Sequence, residues 1–183
     1  ATDDESQIET SGDDVVFVRR NVETALNLGS GDDYIAIGND LESSSTLNTG
    51  GGDDSVYIVG LARSAVLLGA GDDTFVLATD LTNTLNADTG NDKVWIQGDV
   101  NSSATFLLGS GDDVVWLGDS EAPYSGALAA DVNGGADYDI LVLENMTKTE
   151  WEADSIFQSY VVNFELVFFS DDGTGTREYV TLP

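Results

Sequence analysis

Among its 183 residues the chain has no cysteine and no histidine. Without cysteine there is no disulfide, no iron–sulfur cluster and no thiolate zinc site, and the redox compartment stays undetermined. Without either residue, the usual nucleophile–base pairs of covalent catalysis are missing too. Basic residues are scarce: Lys and Arg total 6 against 34 Asp and Glu, for a formal net charge of −28. A charge of that sign repels phosphate, which argues against nucleic acid and anionic lipid as partners. No apolar run approaches the ~20 residues of a membrane-spanning helix, and no signal peptide opens the sequence. A chain that starts at Ala1 rather than Met is expected to be processed or part of something longer.

Glycine is frequent (20 residues), proline nearly absent (2), and 41% of the residues are apolar. That share is too high for a disordered acidic tail, and the length suffices for one domain with a sizeable core. The charge would destabilise a compact fold by self-repulsion unless cations were bound.

The acidic residues recur in a fixed setting. The turns "TSGDD", "GSGDD", "GGGDD", "GAGDD", "DTGND" and "GSGDD" place a second aspartate at Asp14, Asp33, Asp54, Asp73, Asp92 and Asp113, with a looser repeat at Asp139. Spacings of 19 to 26 residues mark a solenoid in which each repeat is one coil. Two and four residues after each aspartate comes an apolar pair, from Val16/Val18 and Ile35/Ile37 through to Leu141/Leu143, as a strand with one buried face requires. A second strand precedes each glycine turn, with Leu26/Leu28, Leu47/Thr49, Val66/Leu68, Leu85/Ala87 and Phe106/Leu108 pointing inward. Between the strands an apolar plug recurs at Leu41, Leu61, Leu81 and Val100. The expected architecture is all-β: a right-handed parallel β-roll or β-solenoid of about six to seven coils over residues 1–143, with residues 144–183 as a C-terminal cap of the same structural domain. A β-sandwich is the alternative, but it gives no reason to repeat side-chain identity at one turn.

Stacking sets equivalent residues of neighbouring coils about 4.8 Å apart. Two carboxylates at that distance repel by roughly 3 kcal/mol even at an effective dielectric of ~20. Something positive must therefore lie between the turns, and hard oxygen donors without His or Cys point to Ca²⁺. The aspartates Asp14, Asp33, Asp54, Asp73, Asp92, Asp113 and Asp139 are the candidate ligands. Behind them stand their neighbours Asp13, Asp32, Asp53, Asp72 and Asp112, and the turn backbone of Gly12, Ser30, Gly31, Gly51, Gly52, Ala70, Gly71, Thr89, Gly90, Ser110 and Gly111. About five or six Ca²⁺ ions are expected.

These turns resemble the RTX, or haemolysin-type, calcium-binding repeat family, whose nonapeptide is Gly-Gly-x-Gly-x-Asp-x-(apolar)-x. "GGADYDILV" (Gly134–Val142) departs from it only at Asp137, and "LGSGDDYIA" and "LGAGDDTFV" lack only the first glycine. The resemblance covers about residues 11–143 and implies that each motif aspartate binds Ca²⁺ together with carbonyls from two successive coils. It also implies type I secretion, with folding on calcium outside the cell. The second turns of these coils carry the apolar plug instead of a calcium motif, so calcium is expected on one side only, and Asp40, Asp80 and Asp99 are not expected to be ligands. That layout is similar to the ~19-residue coils of large RTX adhesins, including an ice-binding one.

The remaining chain reads as accessories. Residues 118–133 suggest a surface excursion near Pro123, "TKTEWEA" a short helix capped by Thr147 or Thr149, and "VVNFELVFF" and "REYVTL" two strands joined by "SDDGTGT". A solenoid end needs plugging, for which Trp151, Phe157, Tyr160, Phe164 and Phe168 are suited. "DDGTGTREY" lacks EF-hand spacing and is not counted as a site.

The functional expectation is a calcium-binding, secreted or cell-surface structural and adhesion module of a bacterium, without catalysis of its own. An alternative is the C-terminal calcium-binding and secretion domain of a larger secreted enzyme or toxin. Ice binding is the less favoured reading. The resembling ice-binder carries x-Gly-Thr-Gly-Asn-Asp, whereas the Thr column here reads Ser30, Gly51, Ala70, Thr89, Ser110, and Asn appears only at Asn91. Three residues after the motif aspartates, Phe17, Ala36, Tyr57, Val76, Trp95, Trp116 and Val142 should face outward, and none is charged. This strip either stiffens an exposed sheet or docks a neighbouring domain or copy, with Tyr57, Val76, Trp95 and Trp116 as the candidate interface.

Overall fold

A computed structural model of the chain describes residues 10–118, 128–144, 146–169 and 177–183. Their strands form two sheets. The first has eight strands in the order β1 (Thr10–Ser11), β3 (Ala25–Ser30), β5 (Thr46–Gly51), β7 (Val66–Ala70), β9 (Thr84–Thr89), β11 (Thr105–Ser110), β13 (Val132–Ala136) and β15 (Val161–Val162). The second has nine: β2 (Val15–Val18), β4 (Tyr34–Ile37), β6 (Ser55–Ile58), β8 (Thr74–Leu77), β10 (Lys93–Ile96), β12 (Val114–Leu117), β14 (Ile140–Leu143), β16 (Leu166–Phe169) and β17 (Tyr179–Thr181). The chain alternates between the sheets, and all these neighbours pair in parallel except β16 with β17. This is the expected parallel β-solenoid.

The period-2 pattern is what forms it. In register across the second sheet, Ile35, Val56, Phe75, Val94, Val115, Leu141 and Val167 point inward and are fully buried. Val16 and Val18 of β2, at the end of the stack, are only half-buried. From the first sheet Leu26, Leu47, Val66, Leu85, Phe106 and Val132 close the core opposite them.

One turn of each coil is wide and carries the plug, as a chain of single bridges Val22–Leu41–Ala62–Leu81–Val100–Leu128. Here the third coil corrects the expectation. Ala62, not Leu61, is the buried plug, while Leu61 is half-exposed and gives its amide to Asp40 Oδ1 at 2.8 Å. Register decides over hydrophobicity: Val22, Leu41, Ala62, Leu81 and Val100 each stand eight residues past their motif aspartate, and Leu61 stands seven. Leu128 restores the bridge after the inserted segment. Of residues 118–133, read as a surface excursion, 119–127 with Pro123 lie outside the described residues, whereas Leu128 is a buried plug and Val132 begins β13, so that end of the segment belongs to the coil.

At the C-terminal end Thr147 caps α1 (Lys148–Ala153) in a capping box with Glu150. Asp154 then accepts the amides of Ile156 and Phe157 to start α2 (Ser155–Ser159). Trp151 packs edge-on against Phe157 (5.6 Å) and near Phe169 (6.0 Å), and these three with Phe164 are buried over the end of the core. Phe168 differs from expectation. It points outward against Tyr179 at 5.8 Å, and Phe169, one residue on, takes the inward place because β16 keeps the alternation of the coils before it. Tyr160 is half-buried against the core. The "SDDGTGT" turn (residues 170–176) lies outside the described residues, as does most of "DDGTGTREY".

Candidate metal centre

The other turn of each coil is narrow. Between β5 and β6 it consists of Gly52, Asp53 and Asp54. Gly52 has φ +127°, and a Cβ there would sit 2.2 Å from the carbonyl oxygen of Gly31 in the coil before. Glycine is thus required twice, for the sign of φ and for the approach of the neighbouring backbone. The same contact recurs up the stack: the carbonyls of Gly52, Gly71 and Gly90 point at Gly71, Gly90 and Gly111. A column of carbonyl oxygens lies where side chains would otherwise stand.

Beside it runs a column of buried carboxylates. Asp33, Asp54, Asp73, Asp92, Asp113 and Asp139 are at most 2% exposed, although each is ionisable. Every Oδ1 accepts an amide from the preceding coil: Asp14 N to Asp33 (2.8 Å), Asp33 N to Asp54 (2.7 Å), Asp54 N to Asp73 (2.8 Å), Asp73 N to Asp92 (2.9 Å), Asp92 N to Asp113 (2.7 Å) and Asp113 N to Asp139 (3.0 Å). The second oxygen is left over. Oδ2 of Asp14, Asp33, Asp54, Asp73, Asp92, Asp113 and Asp139 is buried and has no hydrogen-bond partner among the described residues. A buried polar atom without a partner costs about 1–3 kcal/mol, and more when charged.

The electrostatics carry the same strain. Burial pushes the carboxyls of Asp73 and Asp113 up to about 7, that of Asp92 to about 8 and that of Asp139 to about 6. Neighbouring carboxylates add to the rise, while the amide each one accepts opposes it. Asp33 and Asp54 are also raised, with burial again the leading cause.

The first aspartates of the turns behave differently. Asp13, Asp32, Asp53, Asp72 and Asp112 are exposed and form a second ladder of opposite sense. Asp13 accepts Asp32 N (3.0 Å), Asp32 accepts Asp53 N (2.9 Å), Asp53 accepts Asp72 N (2.8 Å) and Asp72 accepts Asn91 N (2.8 Å). Asn91 Oδ1 continues it to Asp112 N (2.9 Å), and Asp112 ends it at Tyr138 N (3.0 Å). In the turn backbone, the carbonyls of Gly51, Ala70, Thr89 and Ser110 accept the amides of Gly31, Gly52, Gly71 and Gly90 at 2.8–2.9 Å. A second lone pair remains on each.

This donor set fits a hard divalent cation. It is all oxygen, it has unpartnered anionic atoms in a row, and the glycines leave room for carbonyls to join. Among the described residues no three carboxylates converge on one point. An ion between coils would be held by carboxylates from two neighbours, with carbonyl oxygens completing its shell. At the described wide turns, burial and then the neighbouring Asp80 raise the Asp99 carboxyl, but no oxygen of Asp40, Asp80 or Asp99 is both buried and without a hydrogen-bond partner. Asp40 accepts Leu61 N and pairs with Arg63, which together hold its carboxyl below the usual range. Asp80 accepts Asp99 N at 2.9 Å.

One carboxylate that continues the row by register, the half-buried Glu165, was not legible as such. Asp139 N donates to Glu165 Oε2 at 2.7 Å, the bond each motif aspartate amide makes to the next coil. The parallel pairing Ile140–Leu166 puts Asn163-Phe164-Glu165 in the place of Asp137-Tyr138-Asp139, and Asn163 (φ +55°) and Asp137 (φ +83°) share the left-handed backbone of the turn glycines. The available signal was Val167/Phe169, two and four residues after Glu165, at a spacing of 26 residues that repeats Asp113 to Asp139.

The outward strip stands where expected. Tyr57, Val76, Trp95 and Trp116 are in register on β6, β8, β10 and β12. The two indoles are 6.4 Å apart, and Trp95 Nε1 donates to the Gly118 carbonyl at 3.0 Å. Tyr57 is 38% and Trp95 37% exposed, Val76 and Trp116 are half-buried, and Val142 is buried. From β2 to β16 the outward positions of this sheet hold no Asp or Glu, in a chain that has 34.

No protein-family model and no curated protein matches the chain. Among solved structures it is similar to a hyperactive, Ca²⁺-dependent, β-helical antifreeze protein from an Antarctic bacterium, with a TM-score of 0.76 and 27% identity over 88% of this chain. The chain spans 55% of that neighbour's length.

Proposed function

We propose that the chain is a calcium-rigidified structural module of an extracellular protein, a rod that folds on Ca²⁺ outside the cell and serves an adhesive or scaffolding surface. The observation that carries this reading is the row of seven buried, unpartnered aspartate oxygens at the narrow turns. The Ca²⁺ dependence of the structural neighbour supports it. Seven stacked turns bound six gaps, and six ions would offset twelve of the 28 net negative charges where they are densest. Each site filled at a hundred times its dissociation constant adds about 2.7 kcal/mol to the fold. The acid-free sheet face is the surface through which the rod docks a neighbouring domain or a second copy. No catalytic role is proposed. Circular dichroism in EGTA at neutral pH should show loss of β-structure at physiological temperature, with the melt displaced downward, both recovered with millimolar Ca²⁺; a spectrum and a melt unchanged by EGTA would refute the reading.

Ice binding is the second reading, favoured by what the structural neighbour does. Against it, the column before the second turn glycine holds Thr only at Thr89, and the first-aspartate column holds Asn only at Asn91. Thermal hysteresis of the calcium-loaded protein decides between the two.

A further inference from the structure

The geometry points to a terminal cation site formed by Asp139 and Glu165, through which a divalent hard cation such as Ca²⁺ clamps the C-terminal cap onto the last coil. This rests on the calcium reading of the narrow turns and extends it to a residue outside the repeat pattern. Three observations meet there. First, Glu165 stands in the position of a motif aspartate by register and by its hydrogen bond from Asp139 N, and its own amide returns to the Asp139 carbonyl at 3.1 Å. Secondly, Asp139 is fully buried, and its Oδ2 has no partner among the described residues. Thirdly, oxygens crowd the same spot from both sides: a Cβ on Gly134 would lie 2.2 Å from the Asn163 carbonyl oxygen and 2.7 Å from Asp139 Oδ2.

Gly134 occupies the inward position that Leu108 holds one coil earlier. Here no side chain fits, and the space is taken by a carbonyl of the cap and a carboxylate of the coil. Beside the buried Asp139 opens a cleft of about 450 Å³ that Glu165 and Asp137 line and Asp139 does not, with Trp151 and Gln158 of the two helices on its wall. Without a cation, two adjacent carboxylates would push the cap off the coil. With one, the same pair ties them together.

The site is tested by cation counting and by terbium luminescence in protein whose other tryptophans are removed (Trp95→Phe, Trp116→Phe), leaving Trp151 as the single indole. Terbium, a calcium substitute, should emit on excitation at about 295 nm, because Trp151 borders the cleft. Glu165→Gln should bind one calcium fewer by isothermal titration and lose at least ten-fold of the Trp151-sensitised emission, while Glu165→Asp keeps both. An unchanged count and emission in Glu165→Gln would overturn the inference. So would the absence of Trp151-sensitised emission in the parent at saturating terbium, a measurement that needs no Glu165 variant to fold. Asp54→Asn separates the two levels: if it also leaves the count unchanged, the calcium reading of every narrow turn fails. If it lowers the count and Glu165→Gln does not, the terminal site alone fails.

Discussion

Replacing Asp73 with Asn should change the pH dependence of the metal-free protein in a calculable way. The Asp73 carboxyl is buried in the column at the narrow turns with its pKa raised to about 7, against 3.8 in an open chain. Between those values the folded chain holds a proton that the unfolded chain has released, so stability falls as pH rises. The loss is complete above about pH 7 and amounts to roughly 4 kcal/mol for a shift of about three units. Between pH 5 and pH 7 the share is roughly 2 kcal/mol, or about 4–8 °C of Tm for a chain of this size. In EGTA, therefore, the parent should melt lower at pH 7 than at pH 5, and Asp73→Asn should lose that part of the slope. With millimolar Ca²⁺ the sign reverses. The carboxylate is now a ligand, the parent is more stable at pH 7 than at pH 5, and Asp73→Asn melts below it. Thermal melts followed by circular dichroism at both pH values, with and without calcium, provide the four comparisons. If Asp73→Asn lowered Tm equally in EGTA and in calcium at pH 7, the buried charge would not be what opposes the metal-free fold.

Leu81 is a fully buried plug, so Leu81→Ala should destabilise by about 2–5 kcal/mol in urea unfolding without altering the number of ions bound. Gly52→Ala forces a side chain into left-handed backbone against the Gly31 carbonyl, and should cost more than about 2 kcal/mol by the same assay while its neighbour Gly51, with ordinary φ and 3.6 Å of clearance, tolerates Ala. Trp95→Ser with Trp116→Ser should weaken self-association or domain docking in sedimentation while calcium-induced folding persists. A double variant that associates like the parent but melts much earlier would make the strip a stiffening device.

The regular coils were legible because one offset governs them: apolar residues two and four places after each aspartate, and a plug at eight. Where hydrophobicity was read in place of that offset, at Leu61, the alanine next to it proved to be the buried residue. The burial of the aspartates was not written in their identity. Adjacent Asp13 and Asp14, or Asp53 and Asp54, look alike in sequence, yet the first of each pair faces water and the second faces the stack, a division made by backbone direction at the turn. Glu165 was hidden for a different reason. It lacks the glycines, since Asn163 supplies the left-handed residue and Phe164 fills the place of the first aspartate, so only register reveals it. Val142 shows the reverse: it stands at an outward position, in register between Trp116 and Phe168, and is nevertheless buried.

The two edges of the rod are built from different forces, so the molecule is a zip with teeth along one side only. Along the wide turns, apolar bridges from Val22 to Leu128 hold neighbouring coils together whatever the solution contains. Along the narrow turns the same neighbours carry carboxylates about 4.8 Å apart, each bare pair repelling by roughly 3 kcal/mol. Withdrawing cations therefore loads one edge and not the other. The narrow turns are where coils should begin to part, and the plugged edge is where they should part last.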